Sequence, residues 1–383
     1  MNVNDQWPPL AEVRKDLRVE WYRCPVAPAR LRELMRRSDA RGWFQAGGHL
    51  ALFGCTAALA IVCWAHQLWL LFALALFAHG TIGTFFRGLA THELNHKTVF
   101  RTKWLNKLFL YVYALPSWDN PFHYAVSHTY HHRYTLHPDG DREAVLPANV
   151  SLRFLLLLQL FTFNVWRSRR NLGHGGLLPV LFDTVEAAFG VVGGEWWTAM
   201  YADQPREKRK AIWWARAILA FHGAIVVVAV ATGLWVLPIV LSLFPFIANW
   251  WAHFVGLPMH AGLRDNVTDF RKCVRSITLD PFSEFIYWHM NWHTEHHMYA
   301  GVPCYNLSKL YREIAADMPK PRTLAEAWRE MRTIWKRQKT DPGYQYDTPL
   351  PPTANPGTES AATRREQPDN LSKSIGGLAP AGL

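Results

Sequence analysis

The chain has 383 residues, a length that suits two ordinary soluble domains. Half of the residues are hydrophobic and 19 are Trp, an excess that favours a membrane protein over such domains. The formal charge of +11 is compatible with nucleic acid, anionic lipid or the cytoplasmic flanks of membrane helices. The five cysteines form no even, closely spaced framework, and the amino terminus lacks the apolar core of a signal peptide, so we exclude a secreted disulfide scaffold.

The apolar residues are concentrated in two regions, and this concentration predicts membrane helices. Residues 43–64 and 67–86 are each close to the roughly 20 residues needed to cross about 30 Å of hydrocarbon. Because only a short turn separates them, they predict a helical hairpin. Residues 212–231 and 234–254 repeat the arrangement. We therefore predict an all-α integral membrane protein with about four transmembrane helices in two hairpins.

Shorter apolar segments lie between and after the hairpins. Residues 105–118, 152–166 and 177–192 are too brief or too interrupted by acidic residues to cross readily, so we interpret them as interfacial or buried helices. Residues 307–339 have apolar positions at helical spacing and predict two amphipathic helices separated by a Pro-Lys-Pro sequence. From residue 340 onward apolar periodicity is lost, which indicates a disordered tail.

The distribution of positive charge predicts how the chain is oriented in the membrane. Nine Lys and Arg residues lie in residues 1–42, fifteen in 87–210 and sixteen after 254, with one more, Arg216, inside the third predicted span and none in either hairpin turn. The positive-inside rule then places both termini and the central segment in the cytoplasm. A nucleic-acid-binding protein would instead carry its basic residues on one soluble face, so we exclude nucleic acid as a partner.

Eight histidines form three clusters with the spacing of metal ligands. They are His92 and His96; His128, His131 and His132; and His293, His296 and His297. On a helix, positions i and i+3 or i+4 share one face, so the members of a cluster can reach one ion. The adjacent histidines of the second and third clusters diverge enough to serve two different ions. Neutral imidazoles with few carboxylates suit iron, copper or zinc, and more than four ligands imply two metals.

The acidic residues near these clusters allow two further interpretations. His92-Glu93-Leu-Asn-His96 also matches the H-E-x-x-H helix of zinc metalloproteases, in which the glutamate is the general base. That alternative leaves the other six histidines unexplained. Glu93 can instead accept a hydrogen bond from a ligand imidazole and fix its tautomer, and Glu295 and Asp139 are candidates for the same second-sphere role.

The three clusters, in this order and spacing, resemble the histidine boxes of the integral-membrane fatty-acid desaturases, written H-x(3,4)-H, H-x(2,3)-H-H and H/Q-x(2,3)-H-H. The resemblance covers residues 92–310. It implies four spans under a cytosolic cap that holds two non-haem iron ions, and the O2-dependent introduction of a C=C bond into an acyl chain. A membrane di-iron hydroxylase of the same architecture is the near alternative. The chain would then divide into a cytosolic segment 1–42, a desaturase domain 43–339 and a tail 340–383.

The resemblance also implies a ninth ligand outside the boxes, near the end of the fourth span. In Asn249-Trp-Trp-Ala-His253 we predict His253 as this ligand and Asn249 as its second-sphere neighbour, which would hold a metal-bound water. His260, a few residues further on, is the fallback ligand.

Two further expectations concern the substrate and the electron donor. Residues 288–307 also resemble a bacterial branch that includes a desaturase of rhizobitoxine biosynthesis, which makes a dihydrorhizobitoxine-type substrate an alternative to acyl lipid and the bacterial inner membrane the expected location. The His137-Pro-Asp-Gly140 string is only superficially like the haem motif of cytochrome b5, and no such domain surrounds it. Electrons are therefore expected from a separate donor of ferredoxin or cytochrome b5 type.

Overall fold

A computed structural model describes residues 10–144, 154–166, 175–191 and 193–357. The described chain is mostly helical, as predicted. Its strands, β1 (Ile277–Thr278) and β2 (Arg322–Thr323), form a two-residue parallel pair.

The first part of the chain forms the predicted helical hairpin. Its helices are α1 (Leu10–Asp16), α2 (Pro28–Leu34), α3 (Asp39–Gly42), α4 (Gly48–Ala65), α5 (Trp69–Gly83) and α6 (Thr91–His96). Short π-helical segments join α3 to α4 and α5 to α6, so two long apolar helices result, Asp39–Ala65 and Trp69–His96. Each is long and apolar enough to cross a membrane, and α4 packs along α5.

The second long helix is kinked just before the first pair of histidines. Arg87 has extended backbone angles and Gly88 has a φ of +77°, a left-handed conformation that glycine adopts without strain. The Gly88 N–H donates to Thr91 Oγ1 at 3.0 Å, which replaces a helical hydrogen bond lost at the kink. The membrane helix therefore continues directly into the turn that carries His92 and His96.

The central segment contains five short helices, α7 (Lys103–Ala114), α8 (Pro121–Tyr134), α9 (Phe154–Phe161), α10 (Leu177–Ala188) and α11 (Glu195–Tyr201). Of these, α7, α9 and α10 lie in the three short apolar segments in which the sequence predicts helices. The side chain of Asn120 caps α8 by accepting from the His123 N–H, and Pro121 occupies the first helical position. This well-capped helix carries the second histidine cluster.

The third long apolar helix is α12 (Pro205–Thr232), which ends at Gly233 with a φ of +73°. It is long and apolar enough to cross a membrane, and it packs against α8 and α10. Val227 and Val230 on its outer face are 68% and 63% exposed, as expected for side chains that face lipid.

The fourth predicted span is corrected by the structure. Residues 234–254 do not form one helix but α13 (Val236–Leu241), a 3-10 turn at Phe244–Phe246 and the start of α14 (Trp250–Gly256). Pro245 cannot donate a backbone hydrogen bond, and Ala248 has a φ of +47°, so the helix cannot continue. A neighbouring segment of the same chain satisfies these freed backbone groups. The Asn164 N–H, for example, donates to Phe246 O at 2.7 Å.

The last part of the chain forms short helices around the third histidine cluster. They are α15 (Phe270–Cys273), α16 (Pro281–Ile286), α17 (His293–Met298), α18 (Leu307–Ile314) and α19 (Leu324–Gln338). The predicted amphipathic pair is confirmed as α18 and α19, each with one buried face. Thr323 and Glu326 form a reciprocal capping box at the start of α19.

The predicted disordered tail is corrected for residues 340–357, which pack on the folded body. Lys272 Nζ donates to Thr348 O at 2.8 Å, and the buried Arg271 guanidinium donates to Asn355 O at 3.0 Å. The Asn355 N–H in turn donates to Asp317 at 2.7 Å. The segment lacks apolar periodicity because backbone hydrogen bonds rather than a hydrophobic face hold it. Residues 358–383 lie outside the described part of the chain.

Candidate metal centre

The three histidine clusters, which lie on α6, α8 and α17, come together in two groups. The first group contains His92, His96, His128, His132 and His296; the second contains His131, His260, His293 and His297. Within each group one possible ligand atom per residue lies within 4.8 Å of the others. All eight histidines of the predicted boxes are therefore brought together, and His260 joins them as the ninth.

The adjacent histidines belong to different groups, as their spacing predicts. His131 lies in the second group and His132 in the first, while His296 lies in the first and His297 in the second. Neighbouring side chains on a helix point about 100° apart, so one turn of α8 and one turn of α17 each contribute to both groups.

The ninth histidine in the two groups is His260, which the sequence analysis named as the fallback ligand, whereas the predicted ninth ligand was His253. His260 Nε2 lies 3.0 Å from His293 Nε2, whereas His253 belongs to neither group. His253 lies on α14, with its ring 6.3 Å from the ring of Trp328 on α19. A 3-10 turn at Leu257–Met259 follows α14 and carries the chain back to α17, which is why a residue beyond the helix reaches the histidines.

The hydrogen bonds of the second group determine which ring nitrogens carry protons. His260 Nδ1 lies 3.1 Å from the Cys273 carbonyl oxygen and His293 Nδ1 lies 3.1 Å from the Met290 sulfur. Neither partner can donate a proton, so each Nδ1 is the protonated atom. His297 Nδ1 faces Thr135 Oγ1, whose own proton is donated to a carbonyl oxygen. In all three rings Nε2 is left with a free lone pair.

These lone pairs face one another at short distances. His260 Nε2 is 3.0 Å and His297 Nε2 is 3.2 Å from His293 Nε2. Two lone pairs cannot form a hydrogen bond, so the contacts would be repulsive without a cation between them. Two imidazoles bound to one ion at about 2.0–2.1 Å have nitrogens about 3.0–3.4 Å apart. The second group therefore fits a transition metal ion.

The first group has similar spacing. His96 Nε2 lies 3.2 Å from His128 Nε2, and His132 Nε2 lies 3.1 Å from His296 Nε2. Both ring nitrogens of the buried His92 are without a hydrogen-bond partner among the described residues. Buried imidazoles are normally satisfied, so an orphaned ring among four others also fits a bound metal.

Two of the imidazole rings are oriented by carboxylates that lie within hydrogen-bond distance of their Nδ1 atoms. Asp141 accepts from His131 Nδ1 at 2.8 Å, and Glu143 Oε1 lies 2.8 Å from His128 Nδ1. Glu93 Oε1 lies 2.9 Å from His92 Nδ1, but the two groups are not aligned for a hydrogen bond, and the second-sphere role of Glu93 stays a prediction. Glu295 has a different partner, because it accepts from the hydroxyl group of Ser276 at 2.6 Å.

The sequence analysis did not identify two of these carboxylates, Asp141 and Glu143. It also predicted Asn249 as the second-sphere neighbour of His253, which is not in either histidine group. Asp141 and Glu143 follow Asp139 in the acidic turn after the second cluster, and this turn is the signal that could have indicated them. Asn249 immediately precedes α14 and is 2% exposed, but its amide has no hydrogen-bond partner in the described part of the chain. It lines the cavity described below.

Burial keeps most of these imidazoles in the neutral form that binds metals. It lowers the pKa of His260 to about 3 and that of His128 well below its usual range. For His131 burial acts in the same direction, but the charge of Asp141 outweighs it and raises the pKa to about 9. Burial also raises the pKa of Glu143 and of Glu295 to about 7.

A cavity of about 980 Å³ lies against both histidine groups. Five of the nine imidazoles line it: His92, His128, His131, His260 and His293. The remaining wall comes mainly from α8, α10, α12 and α14 and contains both apolar and charged side chains. The size is that of sites for small organic ligands, and the position would bring such a ligand beside the imidazoles.

The long apolar helices are suited to a membrane, and each of the two buried histidine groups could hold a metal ion. The sequence model of the fatty acid desaturase family matches residues 67–328, and the chain belongs to this family. Among characterised proteins it is similar to the sn-1 oleoyl-lipid 12-desaturase of Picosynechococcus sp. (strain ATCC 27264 / PCC 7002 / PR-6). The two are 24% identical over 293 residues, which cover 69% of this chain and 73% of the relative.

Proposed function

We propose that this protein is a membrane-bound acyl-lipid desaturase that uses two non-haem iron ions, O2 and electrons from an external donor of ferredoxin or cytochrome b5 type. The observation that carries the proposal is the convergence of nine imidazoles in two groups beside a substrate-sized cavity. Family membership and the similarity to a lipid 12-desaturase support an acyl chain as the substrate.

In this proposal each histidine group holds one iron ion. Bound iron would supply the oxidising power to remove hydrogen from an unactivated methylene, which no amino-acid side chain can do. The protein fixes the geometry. Asp141 holds the Nδ1 proton of His131, and the carbonyl oxygen of Cys273 holds that of His260, so the Nε2 atoms of both rings remain free to bind metal.

The cavity holds the acyl chain and excludes water from the reacting carbons. His92 and His128 of the first group and His131, His260 and His293 of the second line it, so a chain bound there would contact both groups. Positioning is decisive for such a reaction, because a displacement of about 1 Å can cost roughly a hundredfold in rate.

The zinc protease alternative receives no support from the arrangement of the first cluster. His92 and His96 lie in a group of five histidines, whereas a protease centre needs three protein ligands and an open position. Glu93 is completely buried beside His92 and is not among the residues that line the cavity, which does not fit the general base of a protease.

The positive charges support a cytoplasmic centre, and we propose that both termini and the histidine groups face the cytoplasm of a bacterial inner membrane. Eight cations precede the first long helix, a ninth, Arg41, lies in its first turn, and none lies in residues 66–68, the turn between the first two long helices. A cysteine-labelling scan of exposed positions in whole and permeabilised cells tests this orientation, and labelling of the α8–α17 side in intact cells would contradict it.

Lipid analysis tests the reaction itself. The chain is expressed with an active ferredoxin or cytochrome b5 system, and its host lipids are compared by mass spectrometry with those of the His131→Ala and His296→Ala variants. We expect acyl chains that have lost two hydrogens in the parent strain alone. A hydroxylated product without new unsaturation would identify the hydroxylase alternative, and an oxidised small amino acid with unchanged lipids would identify the dihydrorhizobitoxine-type alternative. Product from either histidine variant would refute the ligand assignment.

A further inference from the structure

The wall of the cavity contains a buried arginine whose hydrogen bonds are not satisfied. Arg87 is 7% exposed, and its Nη1 atom has no hydrogen-bond partner among the residues that the structure describes. A guanidinium group carries five donors, and a buried donor without an acceptor costs about 1–3 kcal/mol, more when it is charged. Such a group persists in a fold only where another role compensates for the cost.

The nearest carboxylates compensate the charge of Arg87 but do not satisfy its donors. Asp119 Oδ1 lies 4.0 Å from Arg87 Nε, beyond hydrogen-bond distance, while Asp119 Oδ2 accepts from the hydroxyl group of Thr91 at 2.6 Å. Asp183 also acts on Arg87 electrostatically, but it provides no acceptor for Nη1. Nη1 of Arg87 is therefore still able to donate to an acceptor oxygen.

The position of Arg87 is set by the helix kink. Its extended backbone angles and the left-handed Gly88 interrupt the helix five residues before His92, and Arg87 and His92 line the same cavity. The amide of Asn249, immediately before α14, also lines the cavity. It too is buried and without a hydrogen-bond partner in the described part of the chain. Unsatisfied polar groups on two helices complement a polar end of a ligand and not its methylene chain.

We propose that Arg87 binds the carboxyl oxygen of the acyl substrate, as a free carboxylate or as an ester carbonyl, and so holds the carboxyl end of the chain in the histidine-lined cavity. The planar donors of arginine match a carboxyl group better than a single ammonium does. The proposal rests on the proposed function in one respect, that the cavity takes an acyl chain. It makes Arg87 a specificity residue, because the distance from the carboxyl end would determine which carbons reach the histidines.

Binding of short, water-soluble probes tests the proposal without turnover. The iron-loaded full chain in lipid nanodiscs is titrated by calorimetry with hexanoate, methyl hexanoate and hexylammonium. We expect hexanoate or its methyl ester to bind, and the probe that binds to lose at least about tenfold in affinity in Arg87→Gln, because a hydrogen bond to a charged group contributes about 1.5–3 kcal/mol. Binding of both carboxyl probes indicates an ester-tolerant site, and binding of hexanoate alone indicates a free acid.

The controls separate this proposal from a structural role of Arg87 and from the proposed function. Arg101→Gln is the matched control, because its side chain is 81% exposed and lies outside the cavity wall. Should Arg87→Gln not fold, Arg87→Lys keeps the cation beside Asp119 but lacks the planar pair of donors, and we expect the same loss. Unchanged affinity in either folded variant, or a preference for hexylammonium, overturns the proposal. Arg87-dependent binding in a chain that makes no unsaturated lipid would retain it and refute the proposed function.

Discussion

Replacement of Asp141 by Asn is expected to weaken metal binding in the second histidine group. Asp141 is 2% exposed and accepts three hydrogen bonds, two at Oδ2 from His131 Nδ1 (2.8 Å) and the Leu136 N–H (3.0 Å), and one at Oδ1 from the Glu143 N–H (2.8 Å). Asparagine offers only one accepting atom in the same volume. At least one of these donors would therefore face an NH2 group.

The size of the effect follows from the role of Asp141. Loss of the hydrogen-bonded partner of a ligand imidazole typically costs about 10–100-fold in metal affinity, or about 1.4–2.7 kcal/mol. We expect a loss within this range, because the amide removes both one hydrogen-bond acceptor and the carboxylate charge that stabilises a cation bound to His131. Competition for ferrous iron between the purified variant and a chromogenic chelator measures the affinity.

Glu295→Gln is the matched control in the same assay. Glu295 accepts from Ser276, and burial raises its pKa to about 7, so much of it is already neutral near that pH and the amide is a close substitute. No change in iron affinity is expected for this control. Equal affinity of Asp141→Asn and the parent protein would refute the reasoning, because it would mean that the carboxylate does not act on His131.

Three other predictions concern the ninth ligand, the metal and the packing. His260→Ala should lower the iron content, measured by inductively coupled plasma mass spectrometry, from about two ions per chain to about one, whereas His253→Ala should leave it unchanged. The reverse result would identify His253 as the ligand. Chelation should lower the melting temperature, because it leaves lone pairs facing each other at 3.0 Å; an unchanged melting temperature would contradict the metal-site assignment. Gly80→Ala should destabilise the protein by about 1–3 kcal/mol, because a Cβ there meets the carbonyl oxygen of Ile247, whereas Gly54→Ala, with open space around it, should be neutral in the same unfolding assay.

The eight box histidines could be predicted because their information is local. Spacing of three or four residues specifies a shared helix face wherever the helix lies in the fold. The assignment of His131 and His132 to different groups follows from the same geometry, and the structure agrees. Convergence of the three clusters needed one further inference, that all of them lie on one side of the membrane.

The ninth histidine could not be predicted in this way, because its position depends on the path of the chain. His253 has the expected sequence position at the end of an apolar segment, but on α14 its ring lies near Trp328. The 3-10 turn after α14 brings His260 to His293 instead. Asp141 was missed for the same reason, since a carboxylate in a turn gives no periodic signal.

Hydropathy identified where the membrane segments lie but not whether each forms one helix. The segment 234–254 is as apolar as a span, yet Pro245 and the left-handed Ala248 divide it. A hydropathy average over a window of residues reports composition, and it does not detect the absence of one backbone N–H group at a proline. The interruption is stable because Asn164 and Thr162 from another segment take up the freed backbone groups, a tertiary contact that no local pattern encodes.

The two pairs of adjacent histidines have a mechanical consequence. Neighbouring Cα atoms are about 3.8 Å apart across a peptide bond, so at His131–His132 and at His296–His297 the offset between the two groups is set by covalent geometry. Movements of α8 or α17 carry both groups together. Any movement of the cavity walls contributed by α10 and α12 that leaves α8 and α17 in place would therefore keep the separation of the two histidine groups constant.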